Sequence, residues 1–290
     1  MNDKSLVFDR AQLRRQRRRA AAGFAAHDFL YRELAWRLLD RLADIRQGFP
    51  LAVDLSPRPG MLEAIRRGID PRLGGIEAMV GGAEGAAGLR LACDEEALPF
   101  RAGSLDLVLS CMGLHWVNDL PGALVQIRDA LRPDGLFLAV LLGGETLTEL
   151  RQCLMEAELA EASGASPRVS PMVGLRDAAG LLQRASFALP VADAETLTVT
   201  YPDAMALMRD LRGMGEGNAL VARARRPLGR RVLARASALY AARFAGSDGR
   251  IAATFQAIFM TGWSPAANQQ QPARRGSGEV SLTEFFAKKR

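Results

Sequence analysis

Two groups of residues in this sequence have the types and spacing for chemistry. The first is Asp54, which lies in the apolar run Leu51 to Leu55 and leads into Ser56-Pro57-Arg58-Pro59-Gly60. In open α/β sheets the ligand crevice lies beyond the carboxyl ends of the strands, and glycine there lets backbone approach a nucleotide-like ligand. The second is His115, just past the apolar run Leu105 to Ser110 and followed by Trp116, Asn118 and Asp119. An imidazole at such an edge has two readings, and both stay open. It is a general base or metal ligand, or it is a hydrogen-bonded packing residue beneath a lid. Asn118 and Asp119 read as caps for the helix that begins at Leu120 or Pro121.

Further candidates follow the same logic. The acids Asp94, Glu95 and Glu96 close a short apolar run before Ala97-Leu98-Pro99-Phe100. Glu145 follows Gly143-Gly144; it would line the same pocket or sit as an acid at a helix start. Arg168 in the stiff SPRVSP loop is suited to a carboxylate or phosphate, or is a solvated loop residue. Glu216 and Asn218 in MGEGN read as turn chemistry or as lid residues. The other histidine is His27, and Cys93, Cys111 and Cys153 have no ligand spacing, so no zinc set is expected. No P-loop, nucleophile elbow or nucleic-acid motif is present.

The elements that must position these groups are legible as alternating patterns. Strands are expected at Leu51 to Leu55, Gly74 to Val80, Leu89 to Cys93, Leu105 to Ser110, Leu136 to Leu142, Leu197 to Tyr201 and Ile251 to Trp263, the last antiparallel at the sheet edge. Helical periodicity covers Phe8 to about Ala43 with a break near Gly23, where Phe29, Leu30, Leu34, Leu38 and Leu42 share a face. More helices are expected at Gly60 to Gly68, Pro121 to Leu131, Glu145 to Ala162, Leu175 to Ser186, and Pro202 to Phe244 with an interruption at Gly213 to Gly217. The expected fold class is α/β: a Rossmann-like, doubly wound, mostly parallel seven-stranded sheet with a helical N-terminal arm and helical lid insertions. The arm is residues 1–44, the sheet domain 45–263 with insertions at about 145–174 and 202–245, and residues 264–290 form a flexible tail with a docking helix at Ser281 to Arg290.

Composition bounds the partners. The net charge of +6 would suit an anionic partner, but all of the 38 basic residues except Lys4, Lys288 and Lys289 are arginine. That bias reads as codon usage rather than phosphate binding, so nucleic acid is the partner class least expected. The arginine cluster Arg14, Arg15, Arg17, Arg18 and Arg19 is a solvated helix surface, or an arm that grips an acidic partner or a membrane surface. No apolar stretch approaches the roughly 20 residues of a membrane span, and the expected setting is cytoplasmic.

Several blocks together carry a resemblance: FDR before the arginine-rich helix, HDFLYREL, DEEALPF, LHWVNDLPGAL, LRPDGLFLAVLLGGETLTELR, SPRVSP, DLRGMGEGN and ATFQAIFMTGW. They resemble the methyltransferase-like complex I assembly factors, and more distantly the malonyl-carrier-protein O-methyltransferases. The resemblance implies a class I methyltransferase fold, S-adenosylmethionine as cofactor, and a protein substrate such as a complex I subunit, methylated or hydroxylated at arginine. It assigns Asp54, Gly60, Asp94, Glu95 and Ser110 to the cofactor and places His115 near the chemistry. Ser56 and Arg58 stand where that family's first motif has glycine. An inward Arg58 would occupy the space of the cofactor's methionine part, which implies a rival reading as a non-catalytic assembly or binding factor.

Overall fold

The computed structural model describes residues 6–58, 62, 65, 76–81, 89–91, 93–162, 164–270, 276, 277 and 281, with residues 76–81 and 89–90 described by backbone alone. Its strands are β1 (Phe49–Asp54), β2 (Ile76–Gly81), β3 (Leu89–Arg90), β4 (Leu105–Cys111), β5 (Leu131–Leu142), β6 (Ala188–Tyr201) and β7 (Ile251–Trp263). They form one sheet in the order β3-β2-β1-β4-β5-β7-β6. Strands β3 through β5 pair in parallel, and β7 runs antiparallel to both neighbours. The antiparallel orientation of β7 is as expected, but its place is not: β6 takes the edge and β7 lies between β6 and β5. The exposure of β6 explains why only its second half was legible. Leu189 and Val191 are half exposed, and Pro190 and Asp193 interrupt the apolar alternation.

Strand β4 is buried at every position, as expected of a strand covered on both faces. The described residues form seven α-helices, six of them packed on the sheet and α1 lying in the arm: α1 (Arg10–Ala20), α2 (Phe29–Ala43), α3 (Leu120–Ala130), α4 (Thr148–Glu161), α5 (Leu175–Arg184), α6 (Ala204–Met214) and α7 (Arg230–Phe244). On α2 the residues Leu30, Leu34, Leu38 and Leu42 are buried at one-turn spacing, while Phe29 leaves that face and is 40% exposed. Asp119 caps α3 by accepting from the Gly122 amide at 2.8 Å, and α3 stops at Leu131 ahead of Arg132-Pro133. One core lies between the sheet and α2, α4, α6 and α7, and another between the sheet and α3 and α5.

The helix expected over residues 60–68 lies almost wholly outside the described residues, as does the docking helix, of which only Ser281 is described. The segment that begins at Ser264 starts ordered rather than loose. The Ser264 amide donates to Gly135 O at 2.8 Å, and Gln269 Nε2 donates to Asp134 Oδ1 at 2.8 Å.

Candidate functional site

The carboxyl ends of β1 and β4 form a crest. Asp54 is 1% exposed, its Oδ1 accepts from the Ser56 amide at 2.8 Å, and its Oδ2 has no partner among the described residues. Burial pushes its pKa up from 3.8 to about 6, against the opposing pull of the Ser56 hydrogen bonds. Ser56, at a glycine position of the resembled motif, turns its hydroxyl to the β4 end and accepts from the Cys111 amide at 2.8 Å. Ser110 is wholly buried beside them, and its Oγ likewise has no partner among the described residues. Met112 follows at φ 53, a left-handed conformation that costs a side-chain-bearing residue on the order of 1 kcal/mol or more. That turn sends the chain sharply off the strand and into His115.

His115 and Trp116 converge on Glu216. His115 Nε2 lies 3.0 Å from Glu216 Oε2, Trp116 Nε1 donates to the same oxygen, and Arg17 Nη2 approaches Oε1 at 3.4 Å. Glu216 is buried, which alone would raise its pKa. Arg17, His115 and Trp116 together overcome that burial and bring it down to about 2, so it is ionised at neutral pH. The His115 Nδ1 atom is buried and has no hydrogen-bond partner among the described residues.

Glu216 is delivered here by two glycines. Gly215 ends α6 at φ +82, and a Cβ on it would meet Arg17 Cα at 3.2 Å; a Cβ on Gly213 would enter the His27 ring at 2.1 Å. The turn after α6 therefore lies flush against the arm. From the sequence alone MGEGN reads as turn chemistry or as lid residues. A usable signal was the acid itself: a buried histidine at a strand end needs a partner, and this acid stands between glycines that allow close approach.

The arm is stitched across the crest. Arg10 pairs with Asp94 at 2.9 Å, with Glu96 at 3.2 Å and with Glu95. Asp94 and Glu95, assigned by resemblance to the cofactor, thus face a guanidinium of the chain itself. Asn118 does not cap α3: its Oδ1 accepts from the Val7 and Phe8 amides at 2.9 and 2.8 Å, and Phe8 packs edge-on against Trp116 at 5.2 Å. Arg10 and Arg17, which reach the acid cluster and Glu216, are seven residues apart on α1, about 10 Å along its axis. Substituting Arg10 with alanine should cost about 2 kcal/mol, since three carboxylates lose a charge-assisted donor. Urea titration would measure it, and amide exchange should rise selectively along Gln12 to Ala20.

Arg58 turns inward. Its guanidinium lies 4.0 Å from the Phe24 ring centroid and donates to Met214 O at 3.1 Å and to Arg17 O at 3.5 Å. Burial, together with Arg17 nearby, pulls its pKa below the usual guanidinium value. Among the described residues a void of about 10 Å³ lies beside it, between Tyr31, Pro57, Met112 and Glu216. Gly60 lies outside the described residues.

The remaining candidates disperse. Glu145 is exposed and precedes α4 rather than starting it. Arg168 is no solvated residue: its Nε and Nη2 bind Glu158 Oε1 at 2.9 and 2.5 Å. Asn218 Nδ2 donates to Pro167 O at 2.8 Å. Among the described residues no group of three or more His, Cys, Asp or Glu side chains is arranged to hold a metal, and no helix is long and apolar enough to cross a membrane. A second cavity, of about 400 Å³, opens on the other side of Glu216 beneath α4, α6 and α7.

The sheet order, the crest at the ends of β1 and β4, and a match of residues 51–139 to the methyltransferase domain family define a methyltransferase-fold protein. The fold is shared with the YcgJ protein of Bacillus subtilis, at a TM-score of 0.53 and 14% identity over 79% of this chain and 98% of that one. The sequence is 38% identical over 287 residues to the arginine-hydroxylase NDUFAF5, mitochondrial, of Danio rerio, covering 96% of this chain and 89% of that protein. It is also 33% identical to the malonyl-[acyl-carrier protein] O-methyltransferase of Laribacter hongkongensis, covering 97% of each chain. The chain belongs to the NDUFAF5 arginine-hydroxylase family.

Proposed function

We propose that this chain serves respiratory complex I assembly by receiving an arginine side chain of a protein partner against Glu216, with His115 beside it. The observation that carries this reading is the seating of Arg17. A guanidinium from the arm already stands at the ionised Glu216 carboxylate, 3.4 Å away, at the edge that a bidentate arginine would take more closely. Kinship with proteins named arginine hydroxylases supports the same substrate chemistry, and the complex I setting comes from the resemblance of the sequence blocks. The setting assumed is the bacterial cytoplasm at the inner-membrane face.

Among the described residues, the crest as the chain is arranged leaves little room for S-adenosylmethionine. The void at the end of β1 among the described residues holds about 10 Å³, and the Arg58 guanidinium fills the neighbouring space and adds a positive charge that disfavours a sulfonium. Asp94 and Glu95 are engaged by Arg10. A second reading, methyl transfer with the cofactor seated after Arg58 turns out, is favoured by one observation: Asp54 Oδ2 and Ser110 Oγ are buried polar atoms without partners among the described residues. Calorimetry with S-adenosylmethionine separates the readings. Negligible heat is expected for the native chain, and affinity at least about tenfold higher for the double substitution Ser56→Gly with Arg58→Gly. Tight binding to the native chain would replace the first reading with the second.

A further inference from the structure

The cavity on the far side of Glu216 is made for a different ligand. It encloses about 400 Å³, near the low end of the about 300–1,000 Å³ usual for small-molecule sites. Its walls are aliphatic and aromatic: Leu142 at the end of β5, Leu147 and Leu154 around α4, Met208 and Leu211 on α6, and Phe255 on β7. An arginine substrate has no use for such walls.

Polar groups break the apolar lining: Glu216 and Asn218, held by partners of their own, Ser170, and a cationic rim. Ser170 lines the cavity at 5% exposure, and its Oγ has no hydrogen-bond partner among the described residues, so a buried hydroxyl is left for a ligand to complete. The rim is cationic. Arg168 and Arg223 are neutralised by Glu158 and Asp9, whereas Arg212 is exposed and has no carboxylate partner among the described residues. The loop that closes the cavity, through Ala224, Pro227 and Leu228, also carries Arg225 and Arg226, exposed and likewise without carboxylate partners among the described residues.

We infer that this cavity binds a single-chain amphiphile with an anionic head, of the fatty-carboxylate class, its chain under α6 and α7 and its head at Arg212. Taking a methylene as about the size of a water, about 30 Å³, the space suits one chain on the order of a dozen carbons rather than the paired chains of a membrane lipid. The apolar chain supplies the affinity, and the free guanidinium selects for a negative head. The cavity shares the Glu216 wall with the proposed arginine site, but its test reads chain uptake rather than arginine binding, so the two readings fail separately.

The test is calorimetric titration of the full chain with sodium dodecanoate below its micelle concentration, and with dodecanol, the same chain without the charge. Saturable uptake of one dodecanoate per chain is expected, with dodecanol at least about threefold weaker because the charge-assisted head contact is missing. Ser170→Leu, which fills the cavity, should weaken dodecanoate about tenfold. Arg212→Gln, at an exposed position that leaves folding intact, should weaken dodecanoate about threefold and leave dodecanol unchanged. Absence of saturable uptake overturns the inference, as does uptake insensitive to both substitutions in variants that melt with the native chain. Sedimentation with phosphatidylglycerol vesicles without dodecanoate uptake also overturns it, because the basic loop would then be a membrane contact.

Discussion

Replacing Glu216 with glutamine should lower the unfolding free energy at pH 7 by about 3 kcal/mol, the range in which removing one partner of a buried ion pair falls. Two donors, His115 Nε2 and Trp116 Nε1, converge on one carboxylate oxygen, and a guanidinium faces the other. The glutamine oxygen can serve the first pair, but its amide then points a donor at Arg17, whose charge loses its counterpart in a buried setting. The pH dependence carries the signature. The folded state holds this carboxyl at about 2, below its ordinary 4.5, so its contribution is complete above about pH 4.5 and is lost as pH falls toward 2. Urea titrations should show a native-to-variant gap that is widest at neutral pH and narrows by pH 3. A gap unchanged across that range would mean that Glu216 contributes packing rather than charge.

Asp54 should behave in the opposite sense. Its folded pKa of about 6 lies above the ordinary 3.8, so between those values the folded state binds more protons than the unfolded one. The stability that this group contributes is present below about pH 4 and lost as pH rises through 6. Asp54→Asn keeps an acceptor for the Ser56 amide and removes the buried charge, so it should be about 2 kcal/mol more stable than the native chain at pH 7.5. The two should converge near pH 3.5. A variant that is less stable at pH 7.5 would show that the charge is compensated at the crest after all. Because Asp54 and Glu216 titrate against stability in opposite directions, the double variant should lose most of the pH dependence that the crest confers.

Much of the fold was legible because its signals are local. The unbroken apolar run of β4, the acid closing β1, and the Asp119 cap ahead of Pro121 each depend on a few neighbouring residues, and each lies where its pattern placed it. Recognition of the family also rested on short contiguous blocks. The insertion of β7 between β5 and β6 was not legible, since strand order depends on which edges meet and both strands read alike in isolation. The inward path of Arg58 was posed by the sequence as a question, and it was answered only by Phe24 and Met214, which arrive from the arm and the lid.

By itself the sequence determined the class of sheet, the positions of its carboxyl-end acid and histidine, and the glycines that free the turn after α6. Local periodicity and turn chemistry are enough for that. The tertiary structure alone decided what those groups face. Glu216 meets His115 and Trp116 about a hundred positions away and Arg17 about two hundred away, Arg10 spans 85 positions to reach Glu95, and the apolar cavity draws its walls from five elements. Charge pairing and burial act through space, so a partner's identity is written in the packing of distant segments rather than in the spacing of neighbours.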